Sequence, residues 1–183
     1  FESEIKAWNN YSTDYKPLIN LAKDSSLKFI ATNIPRRYAN FVARKGLDSL
    51  KNIAEQAKMF IAPLPIKVDL ELPCYKMFLD MNMGHGTEMT PQKMAEAQAS
   101  KDATMAHFIL KHKEKNTPFL HYNGAYHSNN YESIYHYLKL QNKKLKIATI
   151  STTEQENVGT LEIENKNIAD FIIVVPESMV KTY

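Results

Sequence analysis

Histidine and tyrosine crowd into residues 118–138, where three histidines and five tyrosines surround a single glycine. Both side chains can ligate iron, and histidine is also a common acid or base near neutral pH. His121 falls within a predicted strand and His136 within a predicted helix, so we interpret both as structural. His127 falls between Gly124 and the start of the helix, which makes it the stronger candidate for a functional side chain.

The residues around His127 predict that it lies in the loop between the end of a strand and the start of a helix. Gly124 follows the apolar residues 119–123 and allows close approach of the backbone. Asn129 and Glu132 have the spacing of a capping box, which predicts that a helix begins just after them. Ligands of open α/β sheets bind at such carboxyl ends of strands. The alternative is a histidine that merely bonds a neighbouring carbonyl.

A second loop with candidate functional side chains follows the apolar residues 27–32. Arg36 and Arg37 fall in the first turn of the next predicted helix, where the helix dipole mildly disfavours cations. A bound carboxylate or phosphate would offset that cost, and arginine grips such groups well. We predict that Arg36 or Arg37 binds an anion, unless one pairs with a structural carboxylate and the other is solvated. Tyr38 is a weaker candidate beside them.

The long helix predicted over residues 91–115 carries polar residues at its apolar stripe. Gln98 falls within the stripe and Asp102 lies beside it. A carboxylate at the border of a buried face is costly unless it is paired. Arg36 or Arg37 would be a suitable partner for Asp102, in a functional site or in a structural ion pair.

The segment 81–89, MNMGHGTEM, combines methionines with His85 between two glycines. These residues suit a metal or a large apolar cofactor, or they cover a groove by packing alone. The spacing matches no closed zinc site, and the nucleotide-binding and serine-hydrolase motifs are absent from the sequence.

Apolar and amphipathic segments alternate along the chain, which predicts an α/β fold with a mainly parallel sheet and helices on both faces. We expect a single domain over residues 1–183. The predicted strands are 27–32, 119–123, 145–151, 158–163 as a hairpin, and 170–175. The predicted helices are 15–24, 35–46, 47–60, 75–81, 91–115 and 131–142.

Composition excludes several classes of protein. The net charge of +3 is small and the lysines are scattered, so we expect no binding of nucleic acid. The single cysteine, Cys74, cannot form an intramolecular disulfide. No apolar run approaches the roughly 20 residues that span a bilayer. Phe1, Ile5 and Trp8 share one helical face, as in the middle of a helix, so we expect an N-terminal portion to precede this sequence.

Four segments, in this order, resemble the ChaN-like cofacial haem-binding family. They are residues 29–50 (FIATNIPRRYANFVARKGLDSL), 81–89 (MNMGHGTEM), 97–109 (AQASKDATMAHFI) and 123–138 (NGAYHSNNYESIYHYL). The resemblance extends over about residues 11–176. The wider group includes TraB/TIKI proteins and erythromycin esterases.

The resemblance implies a haem-binding protein that takes up haem or iron in the bacterial cell envelope. Family members are often iron-regulated lipoproteins that hold two stacked haems between two protomers, with a tyrosine on each iron. We therefore expect haem as the cofactor, a possible homodimer on haem binding, and membrane attachment only through a lipid anchor outside this sequence. The expected haem-binding residues are His127, Tyr126, Arg36, Arg37, Tyr38, His85, Gln98 and Asp102.

The family also opens with a Gly-Glu-x-His strand that this sequence does not contain. In the alternative function, a metal-dependent hydrolase of the wider group, His127 and that missing segment would hold a metal or act as general base. Asp102 and Arg36 would then orient a peptide or ester substrate. We regard binding without turnover as the first hypothesis, and a scaffold with a degenerate site as a third.

Overall fold

A computed structural model describes residues 8–81 and 88–182 of the chain. A π-helical turn at Tyr11–Tyr15 leads into the first helix. The helices are α1 (Lys16–Asp24), α2 (Arg36–Lys45), α3 (Glu55–Lys58), α4 (Pro73–Leu79), α5 (Pro91–His112) and α6 (Ile134–Gln141). The strands are β1 (Ile150–Gln155) and β2 (Phe171–Pro176). Helices together with a small parallel sheet make the fold mixed α/β, which confirms the predicted fold class.

Helix α5 lies at the centre of the core and packs against α2, α4 and α6. Small side chains allow this close approach, because alanine brings a neighbouring helix nearer to the α5 backbone. Its buried alanines are Ala95, Ala97, Ala99, Ala103 and Ala106. The predicted start of α5 is confirmed, since the Thr90 hydroxyl accepts a hydrogen bond from the Lys93 amide and Pro91 is the first helical residue.

The two strands pair in parallel, with Ile150 opposite Phe171 and Gln155 opposite Pro176. The predicted hairpin strand at residues 158–163 is wrong, because this segment is a turn that leads into a 3₁₀ turn. The fully buried Gln155 side chain explains the difference. Its amide donates to two carbonyls and accepts from the Glu162 amide, so it satisfies backbone groups that a strand partner would otherwise bind.

Two further predicted strands, 27–32 and 119–123, have no ladder pairing within the described chain. They nevertheless touch through one pair of side chains, since the Thr32 hydroxyl is 2.8 Å from His121 Nε2. Lys28 also forms an ion pair with Glu114, which precedes the second segment. A mainly parallel sheet with helices on both faces therefore remains a prediction beyond the two observed strands.

Helix boundaries depart from the predictions where the backbone turns sharply. Residues 47–60 are a 3₁₀ turn followed by the short α3, because Ile53 and Ala54 between them are extended. Helix α6 begins at Ile134 and not at residue 131, since Tyr131 and Ser133 have positive φ angles of 60° and 53°. Gly46 ends α2 with φ 84°, which confirms its predicted role at the end of that helix.

Candidate functional site

Asp102 is the buried centre of a polar cluster on α5. Its side chain is 0% exposed. Oδ2 accepts a hydrogen bond from the Tyr75 hydroxyl at 2.8 Å, and Oδ1 lies 2.5 Å from His127 Nδ1. Burial raises the pKa of Asp102, while the hydrogen bonds from His127 and Tyr75 oppose that rise by favouring the ionised form.

His127 lies in the 3₁₀ turn Ala125–His127, between the carboxylate and an amide. Its side chain is 19% exposed. The Gln98 amide nitrogen is 3.1 Å from Nδ1 and 3.4 Å from Nε2. Lys101 donates to the Gln98 oxygen at 3.1 Å, which turns the NH₂ group of Gln98 towards the imidazole. A carboxylate on Nδ1 leaves the lone pair of the ring on Nε2, where the Gln98 NH₂ group is its neighbour.

The turn that carries His127 is bound to α4 through the backbone of one residue, Cys74. The Tyr126 hydroxyl donates to the Cys74 carbonyl, and Glu132 Oε2 accepts from the Cys74 amide at 2.7 Å. Because Tyr75 follows Cys74 and His127 follows Tyr126, five residues form a closed ring of covalent and hydrogen bonds. We call this the Asp102 ring, and its members are Cys74, Tyr75, Asp102, His127 and Tyr126.

The structure brings together four of the eight residues predicted for the site: His127, Tyr126, Gln98 and Asp102. Gln98 and Asp102 are one helical turn apart on α5 and both contact His127. Tyr126 belongs to the ring through its hydroxyl, whose bond to Cys74 occupies the group that would ligate iron. Burial also raises the pKa of Tyr126, which disfavours the tyrosinate that such a ligand requires.

Arg36, Arg37 and Tyr38 form the first turn of α2. Both arginines are exposed, and the Arg37 guanidinium lies 4.9 Å from the centre of the Tyr38 ring. The predicted pairing of Asp102 with one of these arginines is wrong, because Asp102 is buried against α4 and the 3₁₀ turn and takes its hydrogen bonds there. His85 lies outside the described residues.

A second histidine lies close to His127. His121 is held by the Thr32 hydroxyl on Nε2 and by Asn123 Oδ1 at 3.0 Å on Nδ1. Burial lowers the pKa of His121, which keeps its ring neutral. Both nitrogens are engaged, so His121 orients the loop and has no nitrogen to spare for a ligand.

Sequence reasoning missed Tyr75, Lys101 and Glu132 as members of this cluster. Lys101 was detectable, because a lysine three residues after Gln98 can reach it on the helix surface. Tyr75 and Glu132 meet their partners across long stretches of chain, and no local pattern signals such contacts. Among residues 8–81 and 88–182, no group of three or more acidic, histidine or cysteine side chains could hold a metal ion.

A family model described as "Haem-binding uptake, Tiki superfamily, ChaN" matches residues 1–138 of the chain. The matched residues contain α1 to α5, most of α6 and every member of the Asp102 ring. The two strands β1 and β2 lie beyond the match. Searches of curated proteins and of solved structures gave no match.

Proposed function

The chain belongs to the ChaN family of haem-binding uptake proteins in the Tiki superfamily, and from this premise we propose that it binds haem through His127. The haem would supply an iron that a nitrogen lone pair of His127 would hold. We further propose that the protein acts by binding, in uptake of haem or iron at the bacterial cell envelope.

The contact between Asp102 and His127 is the observation that carries this proposal. Histidines that ligate metals nearly always donate their other ring N–H to a carboxylate, a carbonyl or water. His127 has this arrangement, with a buried carboxylate 2.5 Å from Nδ1. These side chains therefore fit iron ligation by His127 better than by Tyr126, because the Tyr126 hydroxyl is bound to Cys74.

Haem also carries two propionates, which need cations. Arg36 and Arg37 are exposed at the start of α2 and remain our proposed partners for these anions. Lys101 is a further candidate, because its ammonium group already reaches Gln98 beside the imidazole. The Tyr38 ring under Arg37 adds an apolar surface next to this positive charge.

Location and assembly form a separate part of the proposal. No helix in the described part of the chain is long and apolar enough to cross a membrane. We propose attachment to the envelope by a lipid anchor, and pairing of two protomers when haem binds. Fractionation of the source cells tests the first, and sedimentation with and without hemin tests the second. Recovery of the protein in the cytosol would contradict the lipid anchor. A sedimentation coefficient that does not change with hemin would contradict the pairing of protomers.

Titration with hemin tests the central claim. We expect a Soret band that differs from that of free hemin, and we expect His127→Ala to weaken binding by at least tenfold. His136→Ala is the matched control, because His136 is also a half-buried histidine but lies on α6, outside the Asp102 ring. An unshifted Soret band in the wild type, or equal losses in the two variants, would refute haem binding through His127.

A metal-dependent hydrolase is the second candidate, and the same contact favours it. A carboxylate that orients an imidazole is the usual arrangement of a general base. Hydrolysis of peptide or ester substrates with an added divalent ion, lost in His127→Ala and kept in His136→Ala, would support this reading. No turnover and no bound ion in the wild type would exclude it.

A further inference from the structure

Tyr75 contributes a hydroxyl to the buried end of the Asp102 ring. The whole residue is 0% exposed, and its hydroxyl lies 2.8 Å from Asp102 Oδ2. The phenol stays protonated, because burial and the charge of Asp102 both raise the pKa of Tyr75. The hydroxyl therefore donates to the carboxylate. The hydroxyl binds Oδ2, whereas His127 faces Oδ1. Tyr75 therefore acts on the imidazole through the Asp102 carboxylate.

His127 Nδ1 has two neighbours that require opposite proton positions. The Asp102 carboxylate, at 2.5 Å, accepts a proton from Nδ1 and leaves the lone pair on Nε2. The Gln98 NH₂ group is 3.1 Å from Nδ1, and by donating there it would move the ring proton to Nε2. When Asp102 takes the Nδ1 proton, the same NH₂ group can donate only to Nε2, from which it is 3.4 Å. Gln98 cannot present its oxygen to the ring instead, because Lys101 holds that oxygen.

We propose that Tyr75 is a positioning residue that decides this competition in favour of Asp102. By binding Oδ2, its hydroxyl fixes the plane of the carboxyl group so that Oδ1 faces Nδ1, and the lone pair stays on Nε2 for a ligand that displaces the Gln98 amide. The inference rests on the proposed function, in which Nε2 would hold the haem iron, but the state of the ring can be measured without any ligand.

The proposal explains why a phenol, and not an apolar ring, occupies this position. Without the hydroxyl, Oδ2 would be a buried acceptor without a donor, and the carboxyl group would be free to rotate away from His127. The Gln98 amide would then be the better-placed partner of Nδ1. The imidazole would present an N–H at Nε2, and an N–H cannot ligate iron.

Nitrogen NMR of histidine-labelled, ligand-free protein tests the proposal, because the two ring tautomers have distinct ¹⁵N shifts. In the wild type we expect the proton of His127 on Nδ1. In Tyr75→Phe we expect a substantial share of the Nε2–H form and roughly tenfold weaker binding of hemin. In the double variant Tyr75→Phe, Gln98→Leu, the competing amide is gone and the Nδ1–H form should return.

Tyr131→Phe is the matched control. The Tyr131 hydroxyl also donates to a carboxylate, Asp170 Oδ1 at 3.3 Å, but this pair lies outside the Asp102 ring. In this variant we expect the ring proton of His127 to stay on Nδ1. An Nε2–H form in the wild type, an unchanged tautomer in Tyr75→Phe, or equal shifts in the two phenylalanine variants would each overturn the proposal.

A second probe covers the case in which Tyr75→Phe does not fold. Difluorotyrosine at position 75 keeps the ring and the hydroxyl but makes the hydroxyl a stronger donor. It should draw charge from Asp102 and move the Nδ1 proton resonance of His127 upfield, and an unmoved resonance would overturn the proposal. A wild type with the expected tautomer that fails to bind hemin would refute the haem function and leave the role of Tyr75 intact.

Discussion

Replacing Glu132 with alanine should loosen α4 from the turn that carries His127. Glu132 Oε2 accepts a hydrogen bond from the Cys74 amide at 2.7 Å, and Cys74 is the second residue of α4. The amides of a first helical turn have no partner within their own helix, so this distant carboxylate acts as the cap of α4. It also places a negative charge at the positive end of the helix.

The loss can be estimated from these two contributions. A hydrogen bond to a charged group contributes about 1.5–3 kcal/mol, and the half-buried Glu132 belongs at the lower end because water can partly replace it. A charge at a helix end adds about 0.3–1 kcal/mol. We therefore expect Glu132→Ala to lower the free energy of unfolding by about 2 kcal/mol, and Tm by about 4–8 °C.

Urea unfolding followed by circular dichroism measures this change, with Glu132→Gln and Glu164→Ala as companions. The glutamine keeps an acceptor oxygen but not the charge, so it should lose about 1 kcal/mol. Glu164 is exposed on a 3₁₀ turn and should lose less than about 0.5 kcal/mol. A Glu132→Ala variant as stable as Glu164→Ala would refute the capping of α4 by Glu132.

Two further changes test other parts of the fold. Gly46→Ala should lower the free energy of unfolding by about 1–3 kcal/mol, because φ 84° with ψ 164° is a conformation that nearly only glycine adopts. Equal Tm values for Gly46→Ala and for Ala54→Gly, a change at an exposed residue, would contradict this. Asp170 accepts hydrogen bonds from the Thr149 amide and hydroxyl, which lower the pKa of Asp170. Its stabilisation is thus present above the ordinary carboxyl pKa of about 3.9 and lost as the pH falls through the lower folded value. The urea midpoints of wild type and Asp170→Asn should differ at pH 6 and converge towards about pH 2. A difference between the midpoints that stays the same on acidification would contradict this role of the Asp170 carboxylate.

Contacts within one helix were predictable from the sequence, and contacts between distant segments were not. The spacing of Gln98 and Asp102 placed both on one face of α5, and the residue types marked that face as unusual. Nothing in the spacing could select His127 and Tyr75 as the partners of Asp102. The arginines of α2 were equally suitable by charge, and α2 also packs on α5. Only the folded structure shows that the Asp102 side chain faces α4 and the 3₁₀ turn.

The start of α6 shows why a local motif can fail. Asn129 and Glu132 have the spacing of a capping box, but a capping box is one use of a carboxylate among several. In the folded chain the Cys74 amide takes the Glu132 carboxylate, and Tyr131 and Ser133 adopt positive φ angles. The helix therefore begins later than predicted, because a tertiary hydrogen bond competes with the local one.

The strands were harder to predict than the helices for a related reason. Apolar alternation predicts that a segment is extended, whereas a ladder also requires a partner strand at the right distance. The partner of β1 is β2, about twenty residues away in sequence, whereas the pattern predicted a hairpin strand between them. Strand β1 also begins at Ile150, later than the predicted strand 145–151. The segments 27–32 and 119–123 touch through the Thr32 and His121 side chains without forming a ladder in the described chain.

The closed ring around Asp102 has a consequence for motion. Cys74 and Tyr75 belong to α4, whereas Tyr126 and His127 belong to the 3₁₀ turn. One hydrogen bond joins the two pairs at Cys74, and two hydrogen bonds through Asp102 join them at the other end. The turn cannot move away from α4 while these bonds persist, so we expect the ring to open as one cooperative unit. A ligand meets an imidazole whose rotamer is already set and does not bear the entropy cost of ordering it.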